Sequence, residues 1–161
     1  MAQALVWIFC KGDTNLNVAI QDNKILLVRA DPNDEMQQWI KDYGAGRNVL
    51  SDDEDQMAFV LVNKATRHVM VNKDAPRADG NIEVQLGVYG LGPVRVSMFW
   101  TEEIKDHGDS YRRIRALRDI TMTLDGLFGN VMEGTVVGIY RSNEPVGVNG
   151  LWKMKKVENN I

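Results

Sequence analysis

The sequence has very few of the features that would tie the protein to an oxidising compartment, a membrane or a nucleic acid. Cys10 is the single cysteine in 161 residues, so no disulfide can form within the chain. No apolar run approaches membrane-spanning length, and the apolar stretch 4–10 is too short and badly flanked for a signal peptide. No Asn-x-Ser/Thr acceptor occurs, and a net charge of −3 does not favour nucleic acid or an anionic membrane. We therefore expect a cytoplasmic protein, also present in the nucleus, without nucleic-acid or membrane partners.

A tryptophan motif recurs three times along the chain. Residues 36–41, 97–102 and 150–154 each surround a Trp, and each Trp closes a stretch of roughly 50 residues that contains short alternating apolar runs. A self-similar unit of short strands that ends in one large aromatic residue indicates pseudo-threefold architecture. The pattern therefore favours a β-trefoil, in which we expect the three Trp side chains to pack the core at the base of each lobe.

The apolar runs predict an all-β protein. They are four to six residues long, are rich in Val and Ile, and are separated by Gly, Asn and Asp, as is typical of strands joined by turns. Helical periodicity is weak, and residues 34–42 could form one or two helical turns before Gly44. We predict one domain over 1–157, with lobes at about 1–50, 51–107 and 108–157, and a polar tail at 158–161. The predicted strands lie at 16–20, 25–28, 59–62, 68–71, 82–86, 120–124 and 136–140.

The charged residues suggest a solvated surface rather than a catalytic centre. We expect the acidic run 52–55 and the arginines of 112–118 to face water, and His68 and His107 to lie at the surface. No nucleophile motif, phosphate-binding glycine loop or metal-ligand spacing is present. The sequence therefore predicts no metal and no cofactor, and it favours a binding protein over an enzyme without deciding between them.

Five segments together resemble one protein family. They are residues 8–11, 30–42, 59–66, 99–102 and 124–129, and the resemblance covers residues 5 to 157 in order. They are similar to the Euonymus-lectin family of plants, which includes stress-responsive ricin-B-like proteins of cereals. The resemblance implies a β-trefoil, a nucleocytoplasmic location in plant cells, and binding of mannose-containing or galactosylated glycans.

The family pattern implies a carbohydrate site in the third lobe. A carboxylate accepts hydrogen bonds from two vicinal hydroxyls, an aromatic face packs on the sugar, and an amide fixes the remaining hydroxyls. Asp125 matches the carboxylate, Tyr140 the aromatic residue and Asn149 the amide. Gly150 stands where the family has Gln, and residues 141–142 replace an acidic and an aromatic residue, so we expect an altered site.

A second site in the first lobe is a further hypothesis. Asp22 follows the second strand there, and Gln37 keeps the Gln-x-Trp pattern, although no aromatic residue follows the third strand. In the second lobe Tyr89 follows the third strand, but Met98 replaces the Gln.

Three functional interpretations stay open at this point. The first is a lectin-like protein that binds glycans. The second is a lectin scaffold recruited as a small-molecule binder or an enzyme of specialised metabolism, with Asp125 as acid or base near Tyr140 and Met132. The third is a stress-related interaction module with a protein partner. The sequence also leaves a homodimer open.

Overall fold

The computed structural model describes residues 3–47, 50–73, 82–90, 92, 94–142 and 144–158, and these residues form strands and turns with no α-helix. The apolar runs form strands, which confirms the all-β prediction, but the run 82–86 is divided between two strands, Ile82–Glu83 and Gln85–Val88, that pair with different partners. The strands are β1 (Gln3–Cys10), β2 (Leu16–Gln21), β3 (Lys24–Arg29), β4 (Trp39–Asp42), β5 (Val60–Asn63), β6 (His68–Val71), β7 (Ile82–Glu83), β8 (Gln85–Val88), β9 (Trp100–Glu102), β10 (Ile114–Ala116), β11 (Asp119–Gly126), β12 (Val137–Arg141) and β13 (Trp152–Lys156). Short 3-10 turns occupy Glu35–Gln37, Gly44–Gly46, Val96–Met98, Leu127–Gly129 and Val148–Gly150.

The first hairpin shows how local sequence sets the strand register. Gln21 pairs with Lys24, so two residues, Asp22 and Asn23, form the connection between β2 and β3. Both residues have positive φ, 52° and 60°. A two-residue hairpin turn requires this conformation to match the twist of its strands. Asp and Asn tolerate this conformation better than most residues, so the dipeptide fixes the register of the hairpin.

Six strands close into a barrel. β13, β1, β4 and β5 pair in that order, and β9 pairs with β10. Two isolated bridges complete the ring, because Phe59 pairs with Trp100 and Arg112 pairs with Trp152. The barrel leaves none of these six strands with an open edge.

Three hairpins cover one end of this barrel. They are β2–β3, β6–β8 and β11–β12, one from each lobe. β12 pairs with β7, and a bridge between Leu26 and Val136 joins β3 to the strand that becomes β12. A six-stranded barrel capped by three hairpins is a β-trefoil, so the predicted fold class is confirmed.

The three repeated Trp residues lie in the core, as predicted, and each is fully buried. Each follows a 3-10 turn and begins the last strand of its lobe. Each indole N–H donates to a carbonyl of the second strand of the same lobe, so the ring also ties two strands together. The bonds run from Trp39 to Val18 (2.9 Å), from Trp100 to Met70 (3.3 Å) and from Trp152 to Leu124 (2.8 Å).

The expectation that the charged segments are solvated is wrong for several residues. The Arg115 side chain is 7% exposed and donates to Glu54 at 2.8 Å, beside the fully buried carboxylate of Asp52. The Arg113 side chain is 8% exposed and lies 3.2 Å from the Glu103 carboxylate. These arginines are buried because carboxylates from other segments neutralise them inside the protein.

His107 is also less exposed than expected. Its ring is 11% exposed, and its Nε2 atom lies 2.5 Å from the Glu103 carboxylate, which also accepts from the backbone N–H of Arg113 at 2.9 Å. His107 and Arg113 therefore both contact the Glu103 carboxylate, and His107 does not line the third-lobe depression.

Candidate functional site

The third lobe carries a depression of about 340 Å³, which is at the lower end of the volumes of small-molecule sites. Asp125, Tyr140 and Asn149 all line it, so the structure brings together the three residues that the sequence predicted for this site. Its other lining residues are Thr123, Phe128, Gly129, Arg141, Ser142, Pro145, Val146, Gly147 and Gly150.

The pairing of β11 with β12 places the carboxylate beside the aromatic ring. Thr123 and Asp125 are two residues apart on β11, so their side chains emerge from the same face of the hairpin. Tyr140 lies directly opposite Thr123, and Gly138 lies opposite Asp125. Because Gly138 has no side chain, the carboxylate has no larger neighbour across the strand pair.

Burial makes the Asp125 carboxyl unusually basic. It raises the pKa of this group from 3.8 to about 7, and the hydrogen bond from Asn149 acts weakly in the opposite direction. A carboxyl with such a pKa in a depression is a marker of a functional site. Near neutral pH the group exists as a mixture of the acid and the carboxylate.

The amide of Asn149 is turned toward the protein. Its Nδ2 group donates to Asp125 Oδ1 at 3.0 Å and to the Gly126 carbonyl at 3.1 Å. Both amide hydrogens are therefore used, and the Asn149 oxygen remains as an acceptor for a ligand. The residue positions the carboxylate in addition to offering one contact of its own.

Gly150 lies close to both the Asp125 carboxylate and Val146. A Cβ atom at this position would lie 3.5 Å from Asp125 Oδ1 and 3.3 Å from a methyl group of Val146. The Gln of the family pattern would therefore have to displace Val146 or cover the carboxylate. The glycine therefore removes both an amide and a side chain that would lie against the carboxylate.

The structure does not bring the two residues of the hypothetical first-lobe site together. Asp22 lies in the turn between β2 and β3, whereas Gln37 lines a depression of about 590 Å³ that does not include Asp22. Gln37 is 2% exposed, and all four hydrogen-bonding positions of its amide are occupied within the protein. Its partners are Asn17 (3.0 Å), Asp31 (2.9 Å), Arg29 (3.0 Å) and Asp34 (3.2 Å).

The carboxylate of the third lobe has no counterpart in the other two lobes. Asp125 directly follows Leu124, the carbonyl acceptor of its Trp. The residues that follow the acceptors in the first and second lobes are Ala19 and Val71.

The aromatic residue lacks a counterpart as well. Tyr140 pairs across the hairpin with Thr123, the residue before the acceptor, and the matching pairing partners in the other lobes are Val28 and Gly87. Tyr89, the aromatic residue noted in the second lobe, donates to Asp42 at 3.4 Å and packs against the core. When these equivalent positions, all within the described residues, are compared, only the third lobe has both the carboxylate and the aromatic ring.

Phe128 is a lining residue that the sequence reasoning missed. Its side chain is 80% exposed, and its backbone is left-handed, with φ 66° and ψ 12°. The Phe-Gly pair in the loop after β11 was the available signal, but its exposure depends on the loop conformation. Met132, which the sequence placed near Asp125, lies in the same loop but does not line the depression.

Within the described part of the chain, no group of three or more His, Cys, Asp or Glu side chains is arranged to hold a metal ion. Over the same residues, no helix has the length and apolar character needed to cross a membrane.

Comparison with known proteins gives a consistent group of relatives. Ricin B-like lectin EULS3 of Arabidopsis thaliana is 34% identical over 157 residues, which cover 94% of this chain and 47% of that protein. Ricin B-like lectin R40G3 of Oryza sativa subsp. japonica is 30% identical over 158 residues, which cover 95% of this chain and 74% of that protein. The chain thus spans about half the length of EULS3. No family model matches the sequence.

Solved structures show the same fold at much lower identity. The ricin B-like lectin of Macrolepiota procera, in complex with lactose, superposes with a TM-score of 0.69 at 12% identity, covering 97% of each chain. The BEL β-trefoil superposes with a TM-score of 0.67 at 14% identity, covering 98% of this chain and 95% of the other. At these identities the likeness shows the fold alone.

Proposed function

The chain belongs to the ricin B-like lectin family, as the sequence resemblance indicated, and from that premise we propose that it binds a sugar residue of a glycan in the third-lobe depression. The observation that carries the proposal is the meeting of Asp125, Tyr140 and Asn149 in one depression, at a place where the other two lobes have neither the carboxylate nor the aromatic ring. Galactose- or mannose-containing glycans are the first ligands to test.

Each residue has a distinct part in the proposed binding mode. Asp125 accepts hydrogen bonds from two vicinal hydroxyls, and Asn149 holds one of its oxygens in place at 3.0 Å. Tyr140 offers its ring to the C–H face of the sugar. The oxygen of Asn149 accepts from one further hydroxyl, because its nitrogen is already bonded to Asp125 and Gly126.

The site is altered relative to the family pattern at its open side. Gly150 contributes no side chain, and the loop residues Pro145 and Val146 form part of the wall instead. The loss of one amide removes about 1 kcal/mol of hydrogen bonding. We therefore propose weak binding of a single sugar and a specificity set by this loop.

A glycan array followed by titration calorimetry tests the proposal. Asp125→Asn removes the charge while keeping the size, and we expect it to weaken binding at least about tenfold. Asp53→Asn is the matched control, because Asp53 is an exposed carboxylate in another lobe. If the wild-type protein binds neither mannose, nor galactose, nor their oligomers, the lectin proposal is overturned.

The raised pKa of Asp125 favours proton transfer on a bound small molecule as a second candidate function. Glycoside hydrolysis normally uses two carboxyl groups, whereas Asp125 is the one carboxyl residue among the described residues that line the depression. Incubation with array ligands and small carbonyl compounds in D₂O tests this candidate. Deuterium incorporation by the wild type that is absent in Asp125→Asn would support it, and ligands recovered unchanged would exclude it for those compounds.

The cellular setting belongs to the same proposal. We place the protein in the cytoplasm and nucleus of a plant cell, and the buried free thiol of Cys10 suits a reducing compartment. We also propose a homodimer, because one site per chain gives strong binding to a multivalent glycan only when two copies are joined. Imaging of the tagged protein and light scattering after gel filtration test these two points, and a secreted protein or a monomer would contradict them.

A further inference from the structure

Phe128 is an exposed aromatic residue at the edge of the third-lobe depression. Its side chain is 80% exposed, the highest value among the large exposed apolar residues of the described chain. It follows Leu127, which is buried, so the chain turns the larger apolar side chain of the pair toward solvent. The ring lines the same depression as Asp125 and Tyr140.

The backbone at Phe128 is held in a conformation that does not suit the residue. Its φ of 66° lies in the left-handed region, which a bulky side chain occupies at a cost of order 1–3 kcal/mol. Gly129 follows with φ 69°, so the two residues turn the loop together. A glycine or an asparagine at position 128 would relieve the strain. Packing does not explain the phenylalanine, because its ring is almost wholly exposed.

Other apolar side chains extend the wall of the depression. Pro145 and Val146 line it, and Val148, 52% exposed, lies in the turn that carries Asn149. The site thus combines a hydrogen-bonding end at Asp125 and Asn149 with an apolar rim. A simple sugar presents mostly hydroxyls and needs one aromatic face, which Tyr140 supplies. The apolar rim calls for a second, apolar part of the ligand.

We propose that the third-lobe site takes a glycoside whose aglycone is aromatic or similarly apolar, with Phe128 contacting the aglycone while Asp125 and Tyr140 hold the sugar. This inference rests on the proposed sugar binding and names its ligand class. Phe128 is then a specificity residue: it does not contact the sugar hydroxyls, and it distinguishes ligands by the group attached to the sugar.

Calorimetric titration with matched glycosides tests the inference. Methyl and phenyl glycosides of galactose and of mannose share the sugar and differ in the aglycone. We expect the phenyl glycoside of the preferred sugar to bind roughly tenfold more tightly than its methyl glycoside, as an aromatic contact with its buried area implies. Equal affinities for the two would overturn this inference and leave the lectin proposal standing, whereas no binding of any glycoside would overturn both.

Substitutions at Phe128 separate recognition from folding. In Phe128→Asn we expect the phenyl preference to disappear, because the contact with the aglycone is lost. We expect the melting temperature to be unchanged or higher, because asparagine accepts positive φ. Phe128→Tyr should keep the preference. Ile104→Asn is the control, since Ile104 is 71% exposed and does not line the depression. A phenyl preference that survives in Phe128→Asn would refute the role of this residue.

Discussion

The proposed role of Asp125 predicts that glycan binding depends on pH, and it also predicts the direction of that dependence. Its pKa is about 7 because the carboxyl is partly buried in the third lobe. The proposed binding mode needs the carboxylate, whose hydrogen bonds to hydroxyls are shorter and stronger than those of the neutral acid. Affinity should therefore rise with pH across the neutral range, whereas an ordinary aspartate would already be fully ionised there.

The magnitude follows from the ionised fraction. With a pKa of about 7, about one-tenth of the protein carries the carboxylate at about pH 6 and about nine-tenths at about pH 8. The apparent dissociation constant should therefore fall about tenfold over this interval. A bound glycan in turn lowers the pKa of the group, because it stabilises the charged form.

The same group affects stability in the opposite direction. Its folded pKa of about 7 lies above the ordinary 3.8, so the folded protein holds the proton more tightly than the unfolded chain does. The resulting stabilisation is complete below about pH 4 and is lost as pH rises to about 7. The full difference corresponds to about 4 kcal/mol, and solvent at this part-exposed carboxyl reduces the expected change to about 1–2 kcal/mol.

The assay is calorimetric titration of the wild type and Asp125→Asn between about pH 6 and pH 8, together with their thermal unfolding between about pH 4 and pH 8. The substituted amide can still accept the bond from Asn149, so we expect the variant to be more stable than the wild type at about pH 8 while binding less glycan. Asp53→Asn should follow the wild type in both measurements. An affinity that does not change between about pH 6 and pH 8, or that changes equally in Asp125→Asn, would refute the assignment of the carboxylate.

Two further predictions concern residues next to those that line the site. Gly138→Ala should destabilise the protein by about 1–3 kcal/mol in denaturant unfolding, because its Cβ would overlap the Ile82 carbonyl oxygen. Gly126→Ala should cost less, since the nearest atom to its Cβ would be 3.6 Å away, and equal losses would contradict this. Glu144→Gln should weaken glycan binding up to about fivefold, because the 2.7 Å ion pair with Arg113 restrains the loop beside the depression; an unchanged affinity would exclude that restraint.

The fold was predictable because its signals are local or repeated. The spacing of the three Trp motifs survives in the structure as three buried rings, each bonded to the second strand of its own lobe. The Asp22-Asn23 turn needed no knowledge of the rest of the chain, since two residues with positive φ determine the hairpin. The predicted strands followed from short apolar runs, rich in Val and Ile, that Gly, Asn and Asp separate.

The buried charges were not predictable, because their partners are distant in sequence. Arg115 is neutralised by Glu54, 61 residues earlier, and this contact exists only after the barrel has closed. Arg113 likewise depends on Glu103 and on Glu144, which lie on either side of it in the chain. Composition assigns such residues to the surface, and tertiary pairing reverses the assignment.

The candidate site was predictable in its polar residues and not in its apolar ones. Asp125 and Asn149 belong to a family pattern, and the structure places them in contact at 3.0 Å. The same pattern pointed to Gln37, whose amide is instead occupied by the protein itself. Phe128 lies within the family-like segment 124–129, but that segment gives no sign that its ring is exposed on a left-handed backbone.

The contrast between Gln37 and Gly150 shows how the same position can be used by the protein in one lobe and carry no side chain in another. The two residues occupy equivalent places, two before the Trp of their lobes. In the first lobe the Gln37 amide makes four hydrogen bonds that join β3, the following loop and β2, so this position stabilises the fold and offers nothing to a ligand. In the third lobe Gly150 has no side chain that could make such bonds or cover the partly buried carboxylate of Asp125. Because the indole bond of Trp152 to the Leu124 carbonyl still holds the third lobe together, that lobe can lose the amide and keep its strands. The repeated tryptophan therefore allows the residues around it to diverge, and a binding site can form in the lobe where the local hydrogen-bond network is incomplete.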